Sequence, residues 1–199
     1  EIYNQAHVSL VDLNETPITR IEGNAILTGT IRCEVDAIVL ATGFDAMTGA
    51  VMNIDIRGKN GLSLQDKWAT GPKAYLGLAT TGFPNLFLVT GPGSPSVLSN
   101  MLPSIEQHVE WIASCIEFMD RHQHRSIDPD RDAEEAWIEH VNEVADTSVY
   151  PGCNSWYLGA NVEGKSRVFM PYLGVPPYVE KCNEVVAAGY AGFKLSGTG

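Results

Sequence analysis

The fold class is predicted from the stretch Asp36-Ala37-Ile38-Val39-Leu40-Ala41-Thr42-Gly43-Phe44, which contains an unbroken apolar run that ends at Thr-Gly. A second run of this kind, Asn85-Leu86-Phe87-Leu88-Val89-Thr90-Gly91, also ends at Thr-Gly. Apolar runs without alternation are typical of strands buried on both faces of a parallel or mixed sheet. In α/β folds such strands lead into glycine loops where the backbone approaches a ligand. The two runs therefore predict an α/β fold with a ligand site beside these loops.

The segments that flank these runs predict a small β-rich region and a loop-rich tail. Short apolar runs at residues 8–12, 17–21 and 25–27 are broken by Pro, Asn and Gly, which favours short strands joined by turns. The tail from Tyr150 is rich in Gly, Pro and aromatic residues, which indicates loops and short strands before a last helix near residues 180–188.

Helical periodicity follows the second run. A helix is predicted from about Ser104, where Ser104 and Gln107 fit a capping box. Its buried face is predicted to consist of the apolar residues at helical spacing, which are Ile105, Val109, Ile112, Ile116 and Met119. Its solvated side is predicted to carry Glu106, His108 and Glu110.

A second helix is predicted to begin at Asp132, with Glu135 three residues later. Its buried face would contain Trp137, Val141 and Val144. Residues 122–131, between the two helices, carry many charges and are predicted to form a surface loop.

Composition narrows the possible partners. The chain has 199 residues, 44% of them hydrophobic, and a formal net charge of -11. Nucleic acid and anionic membranes need clustered Lys and Arg, so neither is expected as a partner. The four cysteines have no zinc-like spacing, and no apolar run is long enough to cross a bilayer. We therefore expect no metal site and a cytoplasmic location. The sequence opens with Glu1 in a segment that has the pattern of structured sequence, so we also expect a missing upstream portion.

Five segments, in this order along nearly the whole chain, carry a resemblance to a known family. The chain resembles the C-terminal part of Baeyer–Villiger monooxygenases, and within that family it looks nearest to the phenylacetone and steroid branch, with cyclohexanone monooxygenase further off. An ordered set of matches is far more specific than the Ala-Thr-Gly alone, which is shared by other flavoproteins. The segments are residues 36–46, 82–87, 91–96, 104–111 and 155–162.

The resemblance implies an α/β fold that is the C-terminal portion of a flavoprotein with two dinucleotide-binding domains, with a mixed sheet, helices and a loop-rich tail. Residues 1–33 would end the NADP-binding domain, and residues 34–199 would form the C-terminal part of the FAD-binding domain. The glycine motifs that bind the two dinucleotides in this family, and the linker motif between them, are absent from this sequence. The chain alone should therefore be inactive and should need its N-terminal half as a partner.

The family's reaction implies a role for each site residue. NADPH reduces FAD, and the reduced flavin uses O2 to insert one oxygen atom beside a ketone carbonyl, giving an ester or lactone. In this chain the expected cofactor-binding residues are Thr42, Gly43, Ser96, Val97, Leu98, Asn100 and Met101. Leu98 and Met101 would also contact substrate. Trp156 would contact substrate and act as the catalytic residue on a mobile loop.

Two alternatives stay open. A related flavin monooxygenase could oxygenate amine nitrogen or sulfur, although the segment at residues 155–162 favours the ketone enzyme. The chain could also be a non-catalytic C-terminal fragment whose activity is to associate with its N-terminal half. For the residues that the resemblance singles out, ordinary structural roles are possible too, namely a strand-to-helix connection at residues 94–102 and a core position for Trp156.

Overall fold

The structure, a computed structural model, describes residues 2–41, 45, 47–95, 99–160, 164 and 168–197. The chain divides into two compact units, residues 1–42 and residues 43–199. In the described ranges no helix is long and apolar enough to cross a bilayer. All four cysteines are free thiols.

Helices and strands are mixed along the chain, as predicted. Short 3-10 turns occur at Ile2–Asn4, Lys59–Gly61, Tyr150–Gly152 and Trp156–Leu158. The strands are β1 (Ile18–Glu22), β2 (Ala25–Thr28), β3 (Arg32–Glu34), β4 (His124–Pro129) and β5 (Phe193–Gly197). The helices are α1 (Gly49–Met52), α2 (Leu64–Lys67), α3 (Met101–Arg121), α4 (Arg131–Asp146) and α5 (Val175–Ala187).

The first unit contains an antiparallel sheet in the order β1-β2-β3. The turn between β1 and β2 places Gly23 at a φ of 60°, a conformation that glycine adopts without steric cost. The strands predicted at residues 17–21 and 25–27 are therefore confirmed to within a residue or so. The strand predicted at residues 8–12 is wrong, because those residues form no strand.

The stretch that opened the sequence argument does not form a strand in its described part. Residues 37–41 are irregular, and Val39 and Leu40 are 87% and 79% exposed. A strand buried on both faces needs hydrogen-bonded neighbours and covering layers. The described residues of the first unit supply neither, so the prediction of a buried strand is wrong for this chain as it stands.

The second apolar run is also less regular than predicted. Phe87 makes one isolated bridge to Ala79, and the other residues of the run form no ladder. Asn85 and Thr90 have positive φ values of 61° and 55°, and such residues break an extended run. The segment is nevertheless well packed, since Leu88 is 8% exposed and its N–H donates to the carbonyl of Leu78 at 2.8 Å.

The second unit holds the main hydrophobic core, to which α3, α4, α5 and the β4-β5 ribbon contribute. Its largest side chains are aromatic, and they contact each other at centroid distances of 5 to 6 Å, as for Trp111 and Tyr190 at 5.2 Å. A smaller cluster forms around α2. The main cluster includes Trp111, Met119, Ile127, Trp137, Val141, Tyr172, Tyr178 and Tyr190.

Helix α3 begins earlier than predicted and buries a different face. Asn100 is its N-cap, and its side-chain oxygen accepts a hydrogen bond from the Leu102 N–H at 3.1 Å. Ser104 is therefore not a cap but a buried helical residue. The buried face consists of Ser104, His108, Trp111, Cys115 and Met119. Val109 and Ile116, predicted to be buried, are 50% and 53% exposed, and His108, predicted to be solvated, is fully buried.

The segment after α3 was predicted to be a surface loop, and this prediction is wrong. Strand β4 occupies it and pairs antiparallel with β5 from the end of the chain. Ile127 and Asp128 on β4 are buried. The charge of Asp128 is compensated, because its carboxylate accepts hydrogen bonds from the Lys59 ammonium at 2.8 Å and the Gly82 N–H at 2.9 Å.

Helix α4 agrees closely with its prediction. Trp137 and Val141 are buried and Val144 is half-buried. The cap is Asp130, whose carboxylate accepts from the Asp132 N–H at 2.9 Å, so the helix begins one residue earlier than the sequence indicates. The last helix, α5, is present and begins at Val175, several residues before the predicted start.

Candidate functional site

Residues 91–95 form the described part of the loop that leads into the predicted cofactor segment, and all of them are buried. Gly93 donates its N–H to the Met170 carbonyl at 2.5 Å and accepts from the indole N–H of Trp137 at 3.1 Å. The carbonyl of Ser94 accepts from the Tyr172 N–H at 2.9 Å. Helix α4 and the segment before α5 therefore hold this loop from two sides.

A close backbone approach fixes the same loop from a third side. Gly77 has a φ of 68°, and a Cβ atom placed on it would lie 2.5 Å from the Cβ of Ser94. Only glycine fits such a crossing without displacement of the loop. The Ser94 hydroxyl, itself fully buried, donates to the Gly91 carbonyl at 2.7 Å. The loop is thus a rigid base for the residues that follow it.

His108 on α3 joins this loop to α5. Its Nδ1 accepts a hydrogen bond from the Thr90 N–H at 3.0 Å, and its Nε2 lies 3.0 Å from the Tyr178 hydroxyl. Tyr178 donates its own proton to the Leu76 carbonyl at 2.8 Å, so its oxygen accepts the Nε2 proton of His108. These partners assign a neutral imidazole with the proton on Nε2.

Burial tunes the acidity of both partners. Desolvation lowers the pKa of His108 to about 4, because the imidazolium form has lost its water. The same effect raises the pKa of Tyr178 well above its usual value. Both groups are therefore neutral at physiological pH, and the network is an uncharged brace for the loop and not a proton donor.

The burial of His108 was not predicted from the sequence, although a signal was present. Trp111 and Cys115 follow it at spacings of three and seven residues, and Trp and Cys are among the residue types most often buried. A helix face marked by these two residues includes His108. The neighbouring face has more Ile and Val residues, and it was therefore predicted to be the buried face.

Two buried carboxylates hold a second turn, residues 80–82. Glu134 on α4 accepts from the Lys67 ammonium at 2.9 Å and from the Thr81 N–H at 2.8 Å. The side chains of Lys67 and Glu134 are 12% and 4% exposed, and desolvation lowers the pKa of Lys67. Asp128 holds the other end of this turn through Gly82. Neither carboxylate was singled out in the sequence, because their burial depends on partners distant along the chain.

The predicted cofactor-binding residues are placed in part. Thr42, Gly43, Ser96, Val97 and Leu98 lie outside the described residues. Asn100 is exposed at the N-cap of α3, and Met101 is half-buried in the first turn. Helix α3 has 21 residues, and the positive end of its dipole lies at Asn100 and Met101, although the Leu102 N–H is already bonded to the Asn100 side chain and Pro103 has no N–H. The role of this helix start in binding a cofactor stays a prediction.

Trp156 lies in a 3-10 turn and is 36% exposed, so it is not a core residue. Its ring lies 4.2 Å from that of Tyr157, between centroids, and its indole N–H has no hydrogen-bond partner among the described residues. Met170 connects this turn to the loop above: its N–H donates to the Tyr157 carbonyl at 3.1 Å, and its carbonyl accepts from Gly93. The structure thus links the Trp156 turn to the predicted cofactor loop through one intervening residue.

Comparison with known proteins identifies close relatives of the whole chain. The chain is 40% identical over 197 residues to cyclopentanone 1,2-monooxygenase of Comamonas sp. (strain NCIMB 9872), covering 98% of this chain and 36% of the relative. It is 42% identical over 197 residues to a phenazine N-monooxygenase of Lysobacter antibioticus, again covering 98% of this chain and 36% of that protein. No family model matches the chain.

The fold leads to the same group of enzymes. The crystal structure of cyclohexanone monooxygenase from Rhodococcus sp. Phi1 bound to NADP+ superposes with a TM-score of 0.90 at 39% identity, covering 99% of this chain and 37% of that one. The chain therefore spans little more than a third of the length of these relatives. In sequence and in fold, the chain corresponds to the C-terminal part of the Baeyer–Villiger monooxygenases.

Proposed function

We propose that the chain is the C-terminal part of an FAD- and NADPH-dependent Baeyer–Villiger monooxygenase, which inserts one oxygen atom from O2 beside a ketone carbonyl to give an ester or lactone. The observation that carries this proposal is the superposition on a cyclohexanone monooxygenase over 99% of the chain. The site supports it as well, because a rigid, buried loop leads into an accessible helix start where the flavin segment is expected. On its own the chain is proposed to be inactive.

The described residues have definite tasks in such an enzyme. FAD and NADPH, when bound, supply the reducing equivalents and the activation of O2. The backbone at the start of α3, next to Asn100 and Met101, would stabilise negative charge on the flavin, since a helix N-terminus favours an anion. Thr42, Gly43, Ser96, Val97 and Leu98 are proposed as further contacts to the cofactors. Their positions lie outside the described residues.

Three side chains are proposed to contact the substrate or to exclude water from it. Met101 is half-buried at the helix start and is proposed to form part of the ketone pocket together with Leu98. Trp156 is proposed to close over the reacting groups, since its exposed ring, whose indole N–H has no partner within the described residues, can reach a ligand without breaking the core. Exclusion of water would favour oxygen transfer to the ketone over wasteful release of hydrogen peroxide.

The proposed partner of the chain is the upstream part of its relatives. The remaining part of the relatives, roughly two thirds of their length, is proposed to be the upstream half that supplies the dinucleotide loops. Residues 1–33 are proposed to end the NADP-binding domain and residues 34–199 to belong to the FAD-binding domain. The boundary between the compact units lies a little later, at residues 42 and 43. A cytoplasmic location is proposed, and the four free thiols are consistent with it.

A second candidate function is oxygenation of a ring nitrogen. The observation that favours it is the 42% identity to a phenazine N-monooxygenase, which is as high as the identity to the cyclopentanone enzyme. The two reactions differ in the substrate atom, because a ketone carbonyl carbon is an electrophile and a ring nitrogen is a nucleophile. The pocket wall that would select between them is proposed to extend beyond this chain.

A chimera tests the proposal. The upstream part of the Comamonas cyclopentanone monooxygenase would be joined to this chain in place of its own last third. We expect the purified chimera to retain FAD and to oxidise NADPH faster when cyclopentanone is added, whereas the upstream part alone does neither. A chimera that retains FAD but oxygenates only phenazine would favour the second candidate. A chimera without flavin would contradict both.

A further inference from the structure

Helix α3 carries an apolar stripe that the core covers only in part. Leu102, Val109 and Ile116 are 70%, 50% and 53% exposed and are spaced seven residues apart. Ile105 and Ile112, half-buried, fill the gaps between them along the helix. The stripe runs from Leu102 to Ile116, which is about 21 Å along the helix at 1.5 Å per residue.

The spacing of this stripe is that of a packing seam. Single exposed apolar residues are ordinary on protein surfaces, but a continuous stripe with a seven-residue repeat is the pattern by which one helix packs against another element. Among the described residues nothing covers Leu102, Val109 and Ile116 fully, since half or more of each is exposed. The stripe therefore indicates a partner surface that this chain lacks.

Acidic residues beside the stripe indicate the charge of the partner that would pack on it. Four exposed acidic residues lie along the side of the stripe that faces away from the core, namely Glu106, Glu110, Glu117 and Asp120. Two copies of this chain packed through the stripe would bring these carboxylates together, which is unfavourable. A complementary partner has an apolar face bordered by Lys or Arg.

We propose that this stripe is the surface on which the upstream part of the parent monooxygenase docks. The inference rests on the proposed function. It is supported by the length of the relatives, about two thirds of which lies outside the region of similarity. Leu102 is the immediate neighbour of Met101, so a part that docks on the stripe also reaches the start of α3, where the cofactor segment ends. The two faces of α3 thereby have separate tasks: His108 braces the loop, and the stripe brings the rest of the enzyme to it.

Cysteine labelling tests the docking surface directly. Val109→Cys would be introduced in the stripe and Ser114→Cys, as the matched control, at an exposed position on another side of the same helix. Alkylation would be followed by peptide mass in the 199-residue chain and in the chimera described above. We expect Val109→Cys to react at least about tenfold more slowly in the chimera than in the chain, with Ser114→Cys unchanged.

Each other result overturns the proposal. Equal reactivity of Val109→Cys in chain and chimera means that the stripe is not covered by the upstream part. Slow labelling already in the 199-residue chain means that a second copy covers it. The flavin content of the unsubstituted chimera is read separately, so a failure of the proposed function, seen as missing FAD, is distinguishable from a failure of the docking surface.

Discussion

Helix α3 has a buried face and, next to it, an exposed apolar face. The buried face includes a serine, a histidine and a cysteine, and the exposed face includes leucine, valine and isoleucine. Hydrophobicity alone would assign them the other way round. The polar face is buried because each of its polar groups has a partner, as with His108 between Thr90 and Tyr178 and the Trp111 N–H on the Cys182 carbonyl at 3.3 Å. Burial in this chain follows the available partners, and the apolar stripe has none within the described residues.

The largest expected effect contrasts these two faces. Trp111→Ala on the buried face should lower the free energy of unfolding by about 3–5 kcal/mol, because a large aromatic cavity is left in the core. Val109→Ala on the stripe should change the free energy of unfolding by less than about 0.5 kcal/mol, because little area is lost from the folded state. Urea unfolding of both variants measures the difference. Similar losses for the two would mean that the stripe is covered in this chain.

The same contrast is expected on α4. Glu134→Gln leaves the Lys67 ammonium buried without its counter-ion and should lower the free energy of unfolding by about 3 kcal/mol. Glu135→Gln, the control, removes a surface pair with Arg131 at 2.9 Å and should change stability little, because water screens it. Thermal and urea unfolding compare the two. A stable Glu134→Gln variant would show that the turn at residues 80–82 does not depend on this carboxylate.

An effect that depends on pH is expected at His108. Its folded pKa of about 4 lies below the value of 6.5 for a free histidine, so the unfolded chain binds more protons between these values. The contribution of His108 to stability is complete above pH 6.5 and is lost as the pH falls towards 4, to the extent of up to about 3 kcal/mol. His108→Gln, which can keep both hydrogen bonds, should remove that part of the slope. Unfolding free energies at several pH values measure it, and identical slopes for both proteins would contradict the buried, neutral imidazole.

The fold was predicted correctly where the local sequence pattern of an element agrees with the residues that it packs against. Helix α4 has an Asp cap and a Trp137–Val141 face that packs within its own unit, so the prediction needed no knowledge of distant residues. Strands β1 and β2 are neighbours joined by a glycine turn, and they too were predicted. The ordered family segments gave the resemblance to Baeyer–Villiger monooxygenases because they span the chain, and the relatives agree with it.

The remaining errors share a physical cause. Residues 37–41 carry the pattern of a buried strand, but a strand forms only when neighbours pair with it, and the described residues provide none. Strand β4 was missed because its partner, β5, lies at the other end of the chain. His108 was missed because its burial depends on Thr90 and Tyr178. The site prediction is limited in the same way: Asn100 and Met101 lie at the start of α3, but their roles and those of the other predicted site residues stay predictions.

The most direct test of the central claim is the product made by the FAD-loaded chimera from cyclopentanone under 18O2. We expect the ring-expanded lactone with one 18O atom, formed with consumption of NADPH. A chimera that binds FAD and consumes NADPH, but converts cyclopentanone to no lactone and releases only hydrogen peroxide, would contradict the assignment of this chain to a ketone monooxygenase.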